Sequence, residues 1–284
     1  MSPRAAFWTR VGAAVAATLA LAPGVGVLLP ETPFHRVLTR LFQGALVVAL
    51  LWGRGRPSTW PSKIRAMGLR GPHRLARAAA GAAVALALFT LLLLLEWALG
   101  GRTAAPEHPR GLAAHLGIAL LVGAVVSLFE EVLFRGYMKD ALGGLQSAIV
   151  FAAVHYLQPL KKSAPAGEDF DPLLGFKRLH EMCEAIFEPR NATLGLASLF
   201  LFGLALNRLR ERTGTLYAGV GVHAGLVFAL TLYRRVLDGT PDGSPWIHGG
   251  ARVHDGVLGT LALLVLLVLA HRAPLPGRLR PDAV

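Results

Sequence analysis

The chain has 284 residues, of which 54% are hydrophobic and 16% charged, against about 25% charged in a typical soluble domain. Its 29 Lys and Arg exceed its 17 Asp and Glu, for a net charge of +12. These basic residues are scattered between apolar runs instead of forming one stripe, which excludes a nucleic-acid binder. A mean hydropathy of +0.50 points instead to a multi-span membrane protein. The single cysteine, Cys183, excludes an intrachain disulfide framework and a Cys-rich zinc ribbon.

A spanning helix needs about 20 mostly apolar residues, or as few as about 17. In chain order such runs cover residues 11–29, 34–52, 78–99, 112–129, 145–157, 193–206, 216–233 and 257–270. The third and seventh are the clearest. The second carries Arg40 within its first turns, where a long side chain reaches the interface. The fifth, sixth and eighth are short and must borrow flanking polar residues or face a wet interior. No run shows the period-2 alternation of a barrel strand. Only helices and closed barrels satisfy their backbone hydrogen bonds in lipid. The fold class expected is therefore all-α, a polytopic transmembrane helical bundle of about eight spans.

The first run could be read as a secretory signal, with Arg4 and Arg10 ahead of an apolar stretch. A cleavable apolar core is only about 7–15 residues long. This run is longer and ends at no small-x-small site, so it is expected to remain as a span. With the N-terminus inside and eight spans, 17 of the 29 Lys and Arg fall on the inside. Seven of them, from Arg54 to Arg77, crowd the first inside loop. The sign of this bias follows the positive-inside rule and places both termini in the cytoplasm of a multi-pass protein of the cell (inner) membrane.

Residues 158–192 are too polar to span, with Lys161, Lys162, Glu168, Asp169, Asp171, Glu181, Glu184 and Glu188. Within them, residues 176–187 have the make-up of an amphipathic surface helix. His180-Glu181-Met182-Cys183-Glu184 imitates the zincin H-E-x-x-H pattern but has Glu where the second His belongs. It is read as a decoy.

Charges at bilayer depth are costly and usually functional. Glu130 and Glu131 close the fourth run, in Ser127-Leu-Phe-Glu-Glu-Val-Leu-Phe-Arg135-Gly136. His155 lies in the fifth and His223 in the seventh. Glu96 sits near one end of the third, close enough to reach water. At 3.6 residues per turn Glu131 and Arg135 are neighbours on one helix face and can pair, while Glu130 points about 100° away toward the bundle interior. A carboxylate with two histidines around one water makes a hydrolytic site. The same residue types also build proton relays in carriers, but no inverted repeat supports that reading.

Glu130-Glu131-x-x-x-Arg135, then Phe151-x-x-x-His155, then His223 preceded by Phe202-Gly203 and Arg212-Thr-Gly-Thr-Leu-Tyr217, resembles the CAAX-protease and bacteriocin-processing family of intramembrane proteases. The resemblance covers residues 111–232 and implies an intramembrane endopeptidase acting on a membrane-anchored or hydrophobic peptide or protein. It divides the chain into N-terminal helices with a basic cytoplasmic loop (1–110), a catalytic membrane core including the polar loop 158–192 (111–234), and a closing loop and helix (235–284). It implies that Glu130 activates the attacking water with His155. It has Glu131, held by Arg135, shape the site, and His223 stabilise the oxyanion. If the enzyme is zinc-dependent, Glu130, His155 and His223 are the implied ligands. The family often has Asn four residues after the last His, where this chain has Val227. That departure motivates a second reading, a non-catalytic membrane scaffold or chaperone that keeps the fold.

Overall fold

The computed structural model describes residues 2–52, 65–71, 73–105, 112–157, 170–250 and 253–272. Arg54, Arg56 and Lys63 of the basic loop, and Lys161, Lys162, Glu168 and Asp169 of the polar loop, lie outside the described residues. The described residues are helical almost throughout, and the chain divides into two units, residues 1–60 with 153–192 and residues 61–152 with 193–284.

The smaller unit is built on α1 (Pro3–Leu28), α2 (Phe34–Trp52) and α7 (Leu174–Phe187). Ser2 caps α1 by accepting the Ala5 N–H at 3.2 Å, and Pro3 stands where no intrahelical N–H is needed. Leu19 and Ala22 of α1 meet Phe34, Val37 and Leu38 of α2 and Met182 of α7 in one apolar core. The amphipathic surface helix expected at 176–187 forms, starting slightly earlier. Asp171 accepts the Leu173 N–H at 2.9 Å and the Lys177 ammonium at 2.8 Å just ahead of it. The Lys177 bond first, and the backbone bond second, hold the Asp171 carboxyl below its usual range.

The larger unit contains α3 (Arg74–Ala98), β1 (Arg102–Ala104), α4 (Leu112–Glu130), a π-helix (Glu131–Met138), α5 (Lys139–Leu142) and most of α6 (Gly144–His155). After the other unit's α7 come α8 (Leu196–Thr213), α9 (Tyr217–Val236), β2 (Leu237–Gly239), α10 (Pro245–His248) and α11 (Val257–Arg272). Helix α9 packs along α3 and α4, and α8 packs along α11. Glycines make the α9 seams close. A Cβ on Gly221 would run into the backbone of Ala78, one on Gly225 would stand 2.9 Å from the Ala82 carbonyl, and one on Gly123 would stand 2.9 Å from the Ala224 carbonyl. In lipid there is no hydrophobic drive between helices, so small residues that admit backbone-to-backbone contact carry the association.

Outward faces are apolar. Leu91, Leu94 and Trp97 on α3, Leu120, Leu121 and Val125 on α4, and Leu261 and Val265 on α11 are all exposed. Such bands suit hydrocarbon, not water. Among the described residues four helical stretches are long and apolar enough to cross a membrane: Arg4–Leu28, Arg74–Ala98, Ala114–Leu142 and Asn191–Thr213. Gly144–His155 and Val257–Arg272 are apolar but shorter. Among the described residues the count of eight is not confirmed. Helices α2 and α9 form, but α2 carries Arg36 and Arg40, and α9 carries His223 and Arg234.

Two local expectations are corrected. Strands were not expected, yet Arg102–Ala104 and Leu237–Gly239 pair as a short antiparallel ribbon. Glu96 does not reach water: it is fully buried and holds Arg102 at 2.6 Å. The Arg102 guanidinium also donates to the His248 carbonyl at 2.5 Å and stacks 5.3 Å from the Tyr233 ring centre. A buried charge needs this degree of satisfaction to persist.

The glycine seams give a direct test. Gly221→Ala should lower the melting temperature in detergent, because backbone cannot yield to a methyl as a flexible side chain can. Gly117→Ala, on an open face of α4 with nothing within 4 Å, should be neutral or stabilising by up to about 1 kcal/mol through helix propensity. Equal melting temperatures for both variants would contradict this packing.

Candidate active site

The centre of the larger unit is a polar cluster inside apolar walls. Glu130 ends α4 and Glu131 opens the π-helix. In that stretch the Lys139 N–H reaches back five residues to the Phe134 carbonyl, which also accepts the Ser147 hydroxyl at 2.9 Å. Such widened turns are rare and concentrate at functional sites. Nothing in the residue order announces it, and by periodicity alone this stretch reads as ordinary α-helix.

Glu131 and Arg135 are both about 1% exposed at their side chains and pair at 3.1 Å. The guanidinium lies 4.2 Å from the centre of the Phe151 ring and 3.5 Å from the Gly203 carbonyl. An aromatic face adds cation–π attraction where water is excluded. His223 Nδ1 is 3.1 Å from Glu131 Oε1. Beside an ionised Glu131, Nδ1 is the donor of this bond. The other ring nitrogen, Nε2, then points 3.7 Å from Glu130 Oε2. One imidazole thus stands between two adjacent carboxylates, oriented by the deeper one and turned toward the other. Glu130 is the more open of the two, with 19% of its side chain exposed against 1% for Glu131.

Phe202 and Phe151 meet the His223 ring edge-to-face, with centres 5.3 and 6.0 Å away. Gly219 completes the floor: a Cβ there would come within 2.8 Å of Glu131 Oε2. The aromatic walls and Gly219 are not among the residues expected from sequence. Their visible signal is the small-x-small spacing of Gly219-Val-Gly221-Val-His223 and the phenylalanines one helix away in each motif.

Four of the five expected site residues, Glu130, Glu131, Arg135 and His223, come together. His155 is the last residue of α6, half-buried, and falls in the other unit. Val227 lies one turn after His223, and its carbonyl accepts the Thr231 hydroxyl at 2.7 Å. In the decoy segment, His180 faces Glu184 at 3.6 Å with both side chains mostly exposed, and Glu181 is taken by Arg178 at 2.6 Å. A catalytic zinc needs three protein ligands. Glu130 and His223 supply two converging donors, and among the described residues no group of three or more His, Cys, Asp or Glu is arranged to hold a metal.

Residues 112–229 match the family model described as type II CAAX prenyl endopeptidase Rce1-like, a segment that takes in all five candidate residues. The resemblance carried by the paired glutamates, Arg135 and the two histidines is borne out over that stretch. No curated protein and no solved structure matches the chain.

Removing one partner of a buried ion pair strands the other charge and costs about 3–5 kcal/mol. Arg135→Ala should therefore melt well below wild type in detergent. Glu131→Gln combined with Arg135→Met should recover much of the loss, because no charge is then left stranded. A double variant no better than Arg135→Ala would show that the pair matters for something other than mutual neutralisation.

Proposed function

We propose that this integral membrane protein is an intramembrane endopeptidase that hydrolyses a peptide bond in a membrane-anchored or hydrophobic peptide or protein. The observation that carries the reading is the imidazole of His223 set between the two carboxylates, at 3.1 Å from Glu131 and 3.7 Å from Glu130. A prenylated protein ending in a CAAX sequence is one member of that substrate class.

In this reading Glu130 is the general base. It takes a proton from water as the water oxygen bonds to the scissile carbonyl carbon. The resemblance also assigns His155 to the activation of water. His223 acts as an imidazolium, protonated at both ring nitrogens between the two carboxylates, so the carbonyl oxygen becomes an oxyanion and accepts a hydrogen bond from Nε2–H while Nδ1–H still donates to Glu131. Glu130 then returns its proton to the departing amine, and the carbon–nitrogen bond breaks. Arg135 and Glu131 do not touch the reacting atoms. They fix the ring that does, which is how preorganised donors lower a barrier without reorganising at the moment of reaction. The site would open toward the cytoplasmic face of the inner membrane, with both termini on that side.

Val227 favours one competing reading, the scaffold that keeps the fold without turnover. The two separate in an assay of reconstituted protein against quenched hydrophobic peptides, a farnesylated CAAX peptide among them. Glu130→Gln should abolish cleavage while leaving folding intact, since the amide keeps the shape but accepts no proton. His223→Ala should cost about 100- to 1,000-fold, the usual loss for an oxyanion donor. Val227→Asn should leave the rate unchanged or raise it. A scaffold would show no rate for any of them to change, and full turnover by Glu130→Gln would remove that residue from the chemistry.

Orientation is tested separately. Reporter fusions at Gly55 and Ala166, in the basic and polar loops, should report opposite sides of the membrane. The same side for both would overturn the charge-derived topology.

A further inference from the structure

Ser127 lies in α4, three residues before Glu130 and four before Glu131. Its azimuth on the helix falls between those of the two glutamates, one turn toward the N-terminus. Helical side chains lean toward the N-terminus, so the carboxylates of Glu130 and Glu131 lie over the Ser127 turn. The stripe it belongs to faces α9 at both ends. One turn before Ser127, Gly123 is in close contact with the Ala224 backbone. One turn after, Glu131 meets Gly219 and His223. Ser127 is fully buried in the seam between them.

A buried hydroxyl in a helix normally finds a partner, most simply the carbonyl four residues back. The other buried Ser and Thr among the described residues do so. Thr18 donates to Ala14, Ser198 to Leu194 and Ser147 to Phe134, and Thr215 accepts from Arg77. Ser127 Oγ has no hydrogen-bond partner among the described residues. A small hydroxyl without one, directly under a carboxylate pair, destabilises the fold unless it serves something bound there.

We propose that Ser127 is a positioning residue of this site: its hydroxyl holds the water that Glu130 activates, gripping it from the turn beneath the carboxylates. The proposal rests on the endopeptidase reading. Ser127 breaks no bond and carries no net proton. It accepts or donates one hydrogen bond and fixes where the water oxygen sits relative to the scissile carbonyl. Alignment of that kind affects turnover more than substrate affinity.

The test compares Ser127→Ala and Ser127→Cys with wild type in the same proteoliposome assay with quenched hydrophobic peptides, reading kcat, KM and melting temperature. Alanine removes the hydroxyl, while cysteine keeps a polar atom at the γ position, somewhat larger, that bonds weakly. Both should lower kcat by about 10- to 100-fold, the scale of a hydrogen bond in a charged site, with KM within about twofold of wild type. Neither should melt below wild type. A Ser127→Ala enzyme with wild-type kcat overturns the proposal and leaves the endopeptidase reading standing. So does a joint fall of kcat and melting temperature, which marks a packing role. A wild-type protein that cleaves no probe overturns both.

Discussion

A buried carboxylate next to a buried guanidinium is the constraint on which this structure turns. Neither Glu131 nor Arg135 could stay charged in an apolar interior alone. Together they neutralise each other, and the surroundings add to the arrangement: the Phe151 face under the guanidinium, the Gly203 carbonyl beside it, and the His223 ring on the same carboxylate oxygen that Arg135 holds. His223 is therefore placed by an interaction whose first purpose is to keep two charges tolerable. The reactive geometry grows out of that requirement: the ring nitrogen left over is the one that reaches Glu130.

Such a cluster forms only if helices come close enough to share it, and here glycine sets the distance. Gly219 leaves room for Glu131 on the surface of α9, while Gly221 and Gly225 let the same helix lie against the α3 backbone. One helix thus offers a bare surface to two neighbours and a histidine to the site. A larger side chain at any of these positions would separate the helices before it touched the chemistry. Packing and electrostatics are one problem in this unit.

The motif residues were legible because their chemistry is expensive in a membrane. Two adjacent glutamates, an arginine one turn on and histidines in later apolar runs stand out against a chain with so few charges. The helical class was legible from run length for the same reason. Other features depend on contacts between distant residues and left little trace. The π-helix at Glu131–Met138 looks like any helical stretch in one dimension. Glu96 looked like an interfacial charge because its partner, Arg102, lies beyond the helix end. The ribbon of Arg102–Ala104 with Leu237–Gly239 joins segments too short to show alternation. Gly219 showed only in its spacing to Gly221 and His223, with nothing to tell that Glu131 would lie against it.

The π-helix also constrains segment length. A widened turn holds one more residue than an α-turn, and each residue in an α-helix accounts for about 100° of rotation. The chain beyond the π-helix is therefore aimed by that extra residue. Lys139 meets Glu211 at 3.3 Å, and Asp140 meets Arg210 at 3.3 Å, both on the last turn of α8. Deleting a single residue between Glu131 and Met138 would let the turn relax to α and swing these two side chains off α8, even if every charged residue were kept. The spacing from the glutamate pair to Lys139 is thus fixed from both ends, by the site on one side and by α8 on the other. Chain count in this stretch is as much a part of the site as the carboxylates are.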